Sequence, residues 1–300
     1  MQVLSEQQEP MRRDVISVLE TVEIETGERK IWKEFDYLIE APNWLKNGRE
    51  LIYNSEGSIY SFELATGNSR KIDTGICNRC NNDHVLSPDH LQLAVSHHTC
   101  EDGQSRIYTL PLTHALPVTG QAPVLVTPIA PSYLHGWSPD GLQLAYCAER
   151  NGEYDIYTIP AQGGVEVRLT DTPGLNDGPE YSPDGQYLWF NSVRTGLMQL
   201  WRMRTDGSEQ VQMTFDESNS WFAHLSPDGK TVAYITYRKG DVAPGDHPPD
   251  KEVEIRLMSS EGGDSRTLVK LFGGQGTLNV NSWSPCGRKL AFVSYRLKNK

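Results

Sequence analysis

A five-residue turn returns six times along this chain, and that repetition limits the fold more than any other feature. Trp137-Ser138-Pro139-Asp140-Gly141 recurs as Tyr181-Ser182-Pro183-Asp184-Gly185 and as Leu225-Ser226-Pro227-Asp228-Gly229. Looser copies are Leu86-Ser87-Pro88-Asp89-His90, Trp283-Ser284-Pro285-Cys286-Gly287 and Trp44-Leu45-Lys46-Asn47-Gly48. The aspartate position falls at 47, 89, 140, 184, 228 and 286, so the intervals are 42, 51, 44, 44 and 58. Proline presets φ, aspartate bonds the backbone ahead of it, and glycine takes φ > 0, which makes the motif a tight turn. After each turn comes an alternating run such as Leu144-Ala145-Tyr146. A polar turn, a second run such as Asp155-Ile156-Tyr157 and a Gly-rich connection to a fourth run follow. Alternation bounded by Gly, Asn, Asp and Pro is strand-and-hairpin grammar. Four strands per unit of this length predict an all-β, six-bladed β-propeller.

One domain over residues 1–300 is expected, with blades beginning near 40, 82, 133, 177, 221 and 279. The last unit supplies only two strands before the chain ends. The N-terminal runs 17–24 and 29–32, within residues 14–33, read as the missing pair that closes the last blade. Such closure hides the edges an open sheet would expose.

Tandem copies of W-S-P-D-G-x-x-L-A-Y, followed by R-x-G-x-x-[DE]-I-Y, make the chain similar to the TolB-like propeller family over nearly its whole length. That family includes the TolB translocation protein, propeller domains of peptidases and oligogalacturonate lyases. This sequence shows neither the α/β domain that precedes the propeller of TolB nor a peptidase domain, so the resemblance implies the fold and not the translocation role. Resemblance to the lyases implies a metal-assisted β-elimination on an acidic sugar, with His84, His135, His224 and Gln275 in the metal-holding parts. The compact Gln-and-His segment of those lyases is missing here.

Charge and composition narrow the partners. A formal net charge of −11 and the lack of a basic stripe argue against nucleic acid. No run reaches the roughly 18 apolar residues of a membrane helix. The opening MQVLSEQQEPMRRD has no apolar stretch of the secretory kind, so a cytoplasmic protein is expected. Five scattered cysteines, Cys77, Cys80, Cys100, Cys147 and Cys286, read as reduced thiols rather than a disulfide framework.

Propeller topology then sorts the side chains by face. The starts of the innermost strands and the turns between second and third strands share one face, the upper one. His84, His135 and His224 fall at inner strands, and His97, His98 and His247 at second-to-third turns, all on the upper face; His90 and His114 fall on the lower one. The three inner-strand histidines are the candidate ligands for one divalent transition metal, Mn, Fe, Ni or Zn. Asp83, Asp177 and Glu180 are the candidate catalytic bases. Glu40, Asn82, Trp221, His247, Gln275 and Asn279 are the candidate ligand-binding groups, with Trp221 as a stacking surface. The long blade-five insertion at 239–252 is expected to rim or cover the mouth. The functional expectation is a small, sugar-derived ligand in a metal-dependent lyase-like enzyme. The alternative is a non-catalytic propeller that binds a small ligand or a protein.

Overall fold

The computed structural model describes residues 14–113, 116–117 and 122–298; His114 lies outside the described residues. Six antiparallel sheets form a six-bladed propeller with no helix among the described residues. Blade one shows the pattern: Glu40–Trp44, Glu50–Ser55, Ser58–Glu63 and Asn68–Lys71, paired in that order from channel to rim. The inner strands of blades two to five are Cys80–Leu86, Ser132–Trp137, Asn176–Tyr181 and Asn219–Leu225.

The last blade is closed by the start of the chain. Val15–Glu23 lies between Arg29–Phe35 and Lys289–Leu297, paired from Val15↔Leu297 to Glu23↔Lys289. Its innermost strand is reduced to one isolated bridge, Trp283↔Leu290.

The repeated turn is built as its residues dictate. In four blades the serine Oγ donates to the aspartate two residues on, at 2.5–2.6 Å, and that carboxylate accepts the backbone N–H two residues further. Where the second copy has His90 for glycine, the histidine itself takes φ 61°. Its Nδ1 accepts the Lys46 N–H at 3.1 Å, which ties blade two to blade one.

Packing runs between blades rather than within them. Val15 and Leu19 of the last blade pack with Trp44, Leu51 and Phe62 of the first, and the other blade junctions hold similar clusters. The tryptophans before the turns are part of this packing. Trp137 Nε1 donates to the Val85 carbonyl at 3.1 Å and Trp283 Nε1 to that of His224 at 2.9 Å, each reaching the preceding blade.

One irregularity recurs where the inner strands line the channel. Each of the five inner strands shifts register at the same place: Glu40/Asn43, Cys80/His84, Leu134/Gly136, Asp177/Glu180 and Trp221/His224. A bulge bends the strand and re-aims its side chains. At this point Ala41, Gly178 and Phe222 have φ of 54°, 61° and 55°. A bulky residue is uncommon there, and Phe222 is held in it by a bond from its N–H to Asn191 Oδ1 at 3.0 Å.

Candidate functional site

Blades two, three and four each send one titratable side chain to the upper channel mouth: Asp83, His135 and Asp177. His135 Nε2 lies 3.0 Å from Asp177 Oδ1, and both side chains are largely buried. The Asp177 carboxylate also accepts the Gly178 N–H at 2.7 Å. Burial opposes charge on both partners, but the ion pair outweighs it: His135 is held above the usual imidazole range and Asp177 below the usual carboxylate range.

Asp83 has no such partner. Asn81 holds it, donating Nδ2 to Asp83 Oδ2 at 2.7 Å and accepting the Asp83 N–H at 2.9 Å. Burial pushes its carboxyl up to about 6; the pull of His135 lowers it and the charge of Asp177 raises it. A carboxyl that titrates there changes charge in the neutral range, as an acid or base at a working site must. Half-buried Tyr133 stands in the field of Asp83, and the buried Cys147 thiol is pushed up by burial and then by Asp177.

The aromatic side of the mouth comes from blade five. Phe222 stacks on His135, centroids 5.8 Å apart at 23°. His247, from the insertion, meets Phe222 edge-on at 5.3 Å and lies 4.2 Å from Trp221. Burial holds its imidazole below the usual range, while Asp177 pulls it up. Asp83, His135, Asp177 and His247 therefore share one electrostatic neighbourhood.

Other expected residues serve the scaffold. The metal set is not assembled: among the described residues no three His, Cys, Asp or Glu side chains are grouped to hold an ion. His224 meets Glu180 at 2.7 Å through Nδ1 and the Leu278 carbonyl at 3.1 Å through Nε2, so neither nitrogen is left for a metal. His84 is fully buried and neither ring nitrogen has a hydrogen-bond partner among the described residues. Its burial drives it down to about 3, against a smaller upward pull from the Ala41 backbone. The three histidines are not equivalent. His84 and His135 stand three residues before the turn serine and His224 stands two before it. On a strand, one residue of offset turns a side chain to the opposite side of the sheet.

Glu180 ties blades together. Its carboxylate meets His224 Nδ1 and accepts the Leu225 N–H and Asn281 Nδ2, each at 2.7–2.8 Å, which joins blades four, five and six. Trp221 is fully buried, so it offers no open stacking face; His247 covers it. Asn279 accepts the Gly276 N–H at 2.6 Å and is buried. Asn82 is buried, and Glu40 is half-buried over Gly276, where an added Cβ would come within 2.6 Å of its carboxylate. Gln275 is half-buried, and its N–H donates to the Pro248 carbonyl of the insertion at 3.3 Å. Asn81 and Tyr133 were missed by the sequence reading. Both lie on the alternating inner-strand positions that carry Asp83 and His135, and that periodicity was the available signal.

Two surface clefts, of about 370 and 340 Å³, open on the lower face between the turns of blades five and six and of blades four and five. These clefts thus lie on the face opposite Asp83, His135 and Asp177. The lower clefts are lined by groups already bonded, such as Asp184 and Asp228 in their turns and Arg202, which donates to the Ser260 carbonyl at 2.9 Å. The upper mouth is where titratable groups from three blades converge, His135 paired with Asp177 and Asp83 bonded to the neutral Asn81.

Similarity to known proteins agrees with this architecture. Residues 87–268 match the TolB beta propeller domain model. An uncharacterised protein of Agrobacterium fabrum is 46% identical over 280 residues, 93% of this chain and 92% of that one. A solved structure from Agrobacterium tumefaciens that carries the TolB name superposes with a TM-score of 0.87 at 45% identity, over 94% of this chain and 99% of that one. An oligogalacturonate lyase solved with manganese superposes with a TM-score of 0.54 at 15% identity, over 87% of this chain and 74% of that one; this likeness is of fold alone.

Proposed function

The chain belongs to the TolB β-propeller family, and on that premise we propose that its upper channel mouth binds a small, sugar-derived ligand. The observation that carries the reading is the convergence of Asp83, His135 and Asp177 from three successive blades in a mostly buried site, with Asp83 held by no charged partner. Hydroxyl-rich ligands need closely spaced acceptors and donors. Two carboxyls and an imidazole supply them, with Asn81 and Tyr133 at their side. A few polar groups that converge from several elements are a usual feature of such a site. A protein loop reaching into the mouth would use the same groups and is the competing occupant.

Catalysis on the same ligand is the second reading, favoured by Asp83. A carboxyl poised at about 6 beside an imidazole can take and return a proton near neutral pH. A metal held by His84, His135 and His224 does not fit the donor geometry, so no step through a metal is drawn.

A saccharide panel with neutral sugars and uronates, screened by thermal shift at millimolar concentration, tests the binding reading. Shifts in the parent that vanish in Asp83→Asn and His135→Gln support it. Shifts that survive both substitutions place the ligand elsewhere. Loss of the panel compounds on incubation, followed by chromatography, separates the catalytic reading from simple binding.

A further inference from the structure

The blade-five insertion is a long second-to-third connection whose His247 reaches the aromatic side of the mouth. Strand Thr231–Tyr237 would meet strand Lys251–Ser259 by a short turn, as Arg150 meets Glu153 in blade three. Instead the chain leaves the sheet at Tyr237 and returns at Lys251. Between them it forms no strand, only a bridge between Lys239 and Val242.

Short turns, one ion pair, the Pro248 carbonyl and the packing of Val242 against the core hold the segment. The Tyr237 hydroxyl and the Gln275 N–H both donate to the Pro248 carbonyl, at 2.9 and 3.3 Å. Lys239 pairs with Glu217 at an exposed position. The bonds from Asp241 N–H to Arg238 O and from Asp246 N–H to Ala243 O are turns within the segment. Most of its residues are exposed or half-buried. A segment with few buried contacts opens at low cost compared with the sheets around it.

Its inner end is different. The His247 ring lies 4.2 Å from Trp221 and edge-on to Phe222, which also stacks with His135. Phe222 holds this place from a left-handed backbone. Yet the fit is incomplete in its polar atoms. His247 Nδ1 and Trp221 Nε1 are both buried with no hydrogen-bond partner among the described residues, and Trp221 is fully buried. An unmade bond at a buried donor weighs against the closed arrangement. The aromatic slot thus receives a ring well and satisfies its polar atoms poorly.

We propose that residues 239–250 form a displaceable plug, and that the slot His247 fills on Trp221 and Phe222 receives one ring of the sugar-derived ligand. A ring oxygen or hydroxyl then accepts the bond that Trp221 Nε1 lacks. The inference rests on the reading of the mouth as a ligand site and adds where the ligand's ring sits and what it must displace.

His247→Ala empties the slot, and imidazole is the probe. Imidazole at tens of millimolar should raise the melting temperature of the variant by a few degrees while leaving the parent unmoved, since a ligand stabilises only what it binds. Saccharides found in the panel should bind His247→Ala about tenfold tighter, because no ring has to leave first. Tyr237→Phe, which removes one anchor of Pro248 and leaves the slot intact, should shift affinity the same way by a smaller factor. Saccharide binding that depends on Asp83 but is unchanged in both variants, or His247→Ala that ignores imidazole, overturns the plug and leaves the mouth standing. Failure of the whole panel to bind the parent or either variant sinks the mouth reading instead.

Discussion

Replacing Asp83 with asparagine should make the protein more stable and its mouth less useful. In the folded chain the carboxyl titrates at about 6 instead of 3.8, because burial resists its charge. At pH 7 the carboxylate is ionised in both states, and the folded state bears the full cost. The difference converts to about 3 kcal/mol of stability withheld at neutral pH. The side chain is 5% exposed, so solvent screening relieves little of this. Asparagine has the same shape, carries no charge and can still accept the bond from Asn81 Nδ2.

The sign fixes a pH signature. Between 6 and 3.8 the folded chain holds a proton that the unfolded chain releases, so the parent gains stability from this group as pH falls. The advantage of Asp83→Asn should therefore shrink from about 3 kcal/mol at pH 7 to about 1.6 at pH 5 and about 0.6 at pH 4. Urea denaturation of parent and variant across that range measures it. A variant less stable than the parent at pH 7, or an advantage independent of pH, would refute the reasoning. Stabilisation that accompanies loss of ligand is what a functional group held against its own folding cost should give.

Further perturbations test the rest of the account. As pH falls below 6.5 the unfolded chain protonates at His84 while the folded chain resists to about 3, so stability should drop by about 1.4 kcal/mol per pH unit from this residue; His84→Gln should lack that slope in the same denaturation series. Deleting residues 1–35 removes Val15–Glu23 and its neighbour and leaves Lys289–Leu297 as a bare edge, so no soluble monomer should be recovered by gel filtration. Trp283→Phe leaves the His224 carbonyl without its donor and should cost about 2 kcal/mol by urea denaturation. His135→Gln strips Asp177 of its charged partner and should lower stability by about 3 kcal/mol in the same denaturation series.

The fold was legible because each turn states its own chemistry. Ser-Pro-Asp-Gly fixes one corner of every blade, and counting corners counts blades. Even Asn47 and Cys286, which break the motif, keep its geometry: Asn47 Oδ1 accepts the Arg49 N–H at 2.8 Å, and Cys286 Sγ lies 3.4 Å from Ser284 Oγ. The site was legible only in part. Topology placed Asp83, His135, Asp177 and His247 on one face, and the structure brings them together. Sequence could not show the bulge in each inner strand, and the bulge decides where side chains point. His224 stands one position away from the column of His84 and His135 and turns to the neighbouring blade. Trp221 looked like a free aromatic because it interrupts the column of packing tryptophans, whereas burial beneath His247 is a tertiary fact that no local pattern carries. Glu180 looked like a base for the same reason: its three donors come from blades five and six, at sequence distances of 44, 45 and 101.

The most direct test of the mouth as the ligand site is a binding titration of the best saccharide from the panel against four proteins: parent, Asp83→Asn, His135→Gln and the lower-face variant Arg202→Gln. Affinity lost by tenfold or more in the two mouth variants and kept in Arg202→Gln is the predicted result. Affinity kept in both mouth variants and lost in Arg202→Gln would place the ligand in the lower cleft and contradict the account.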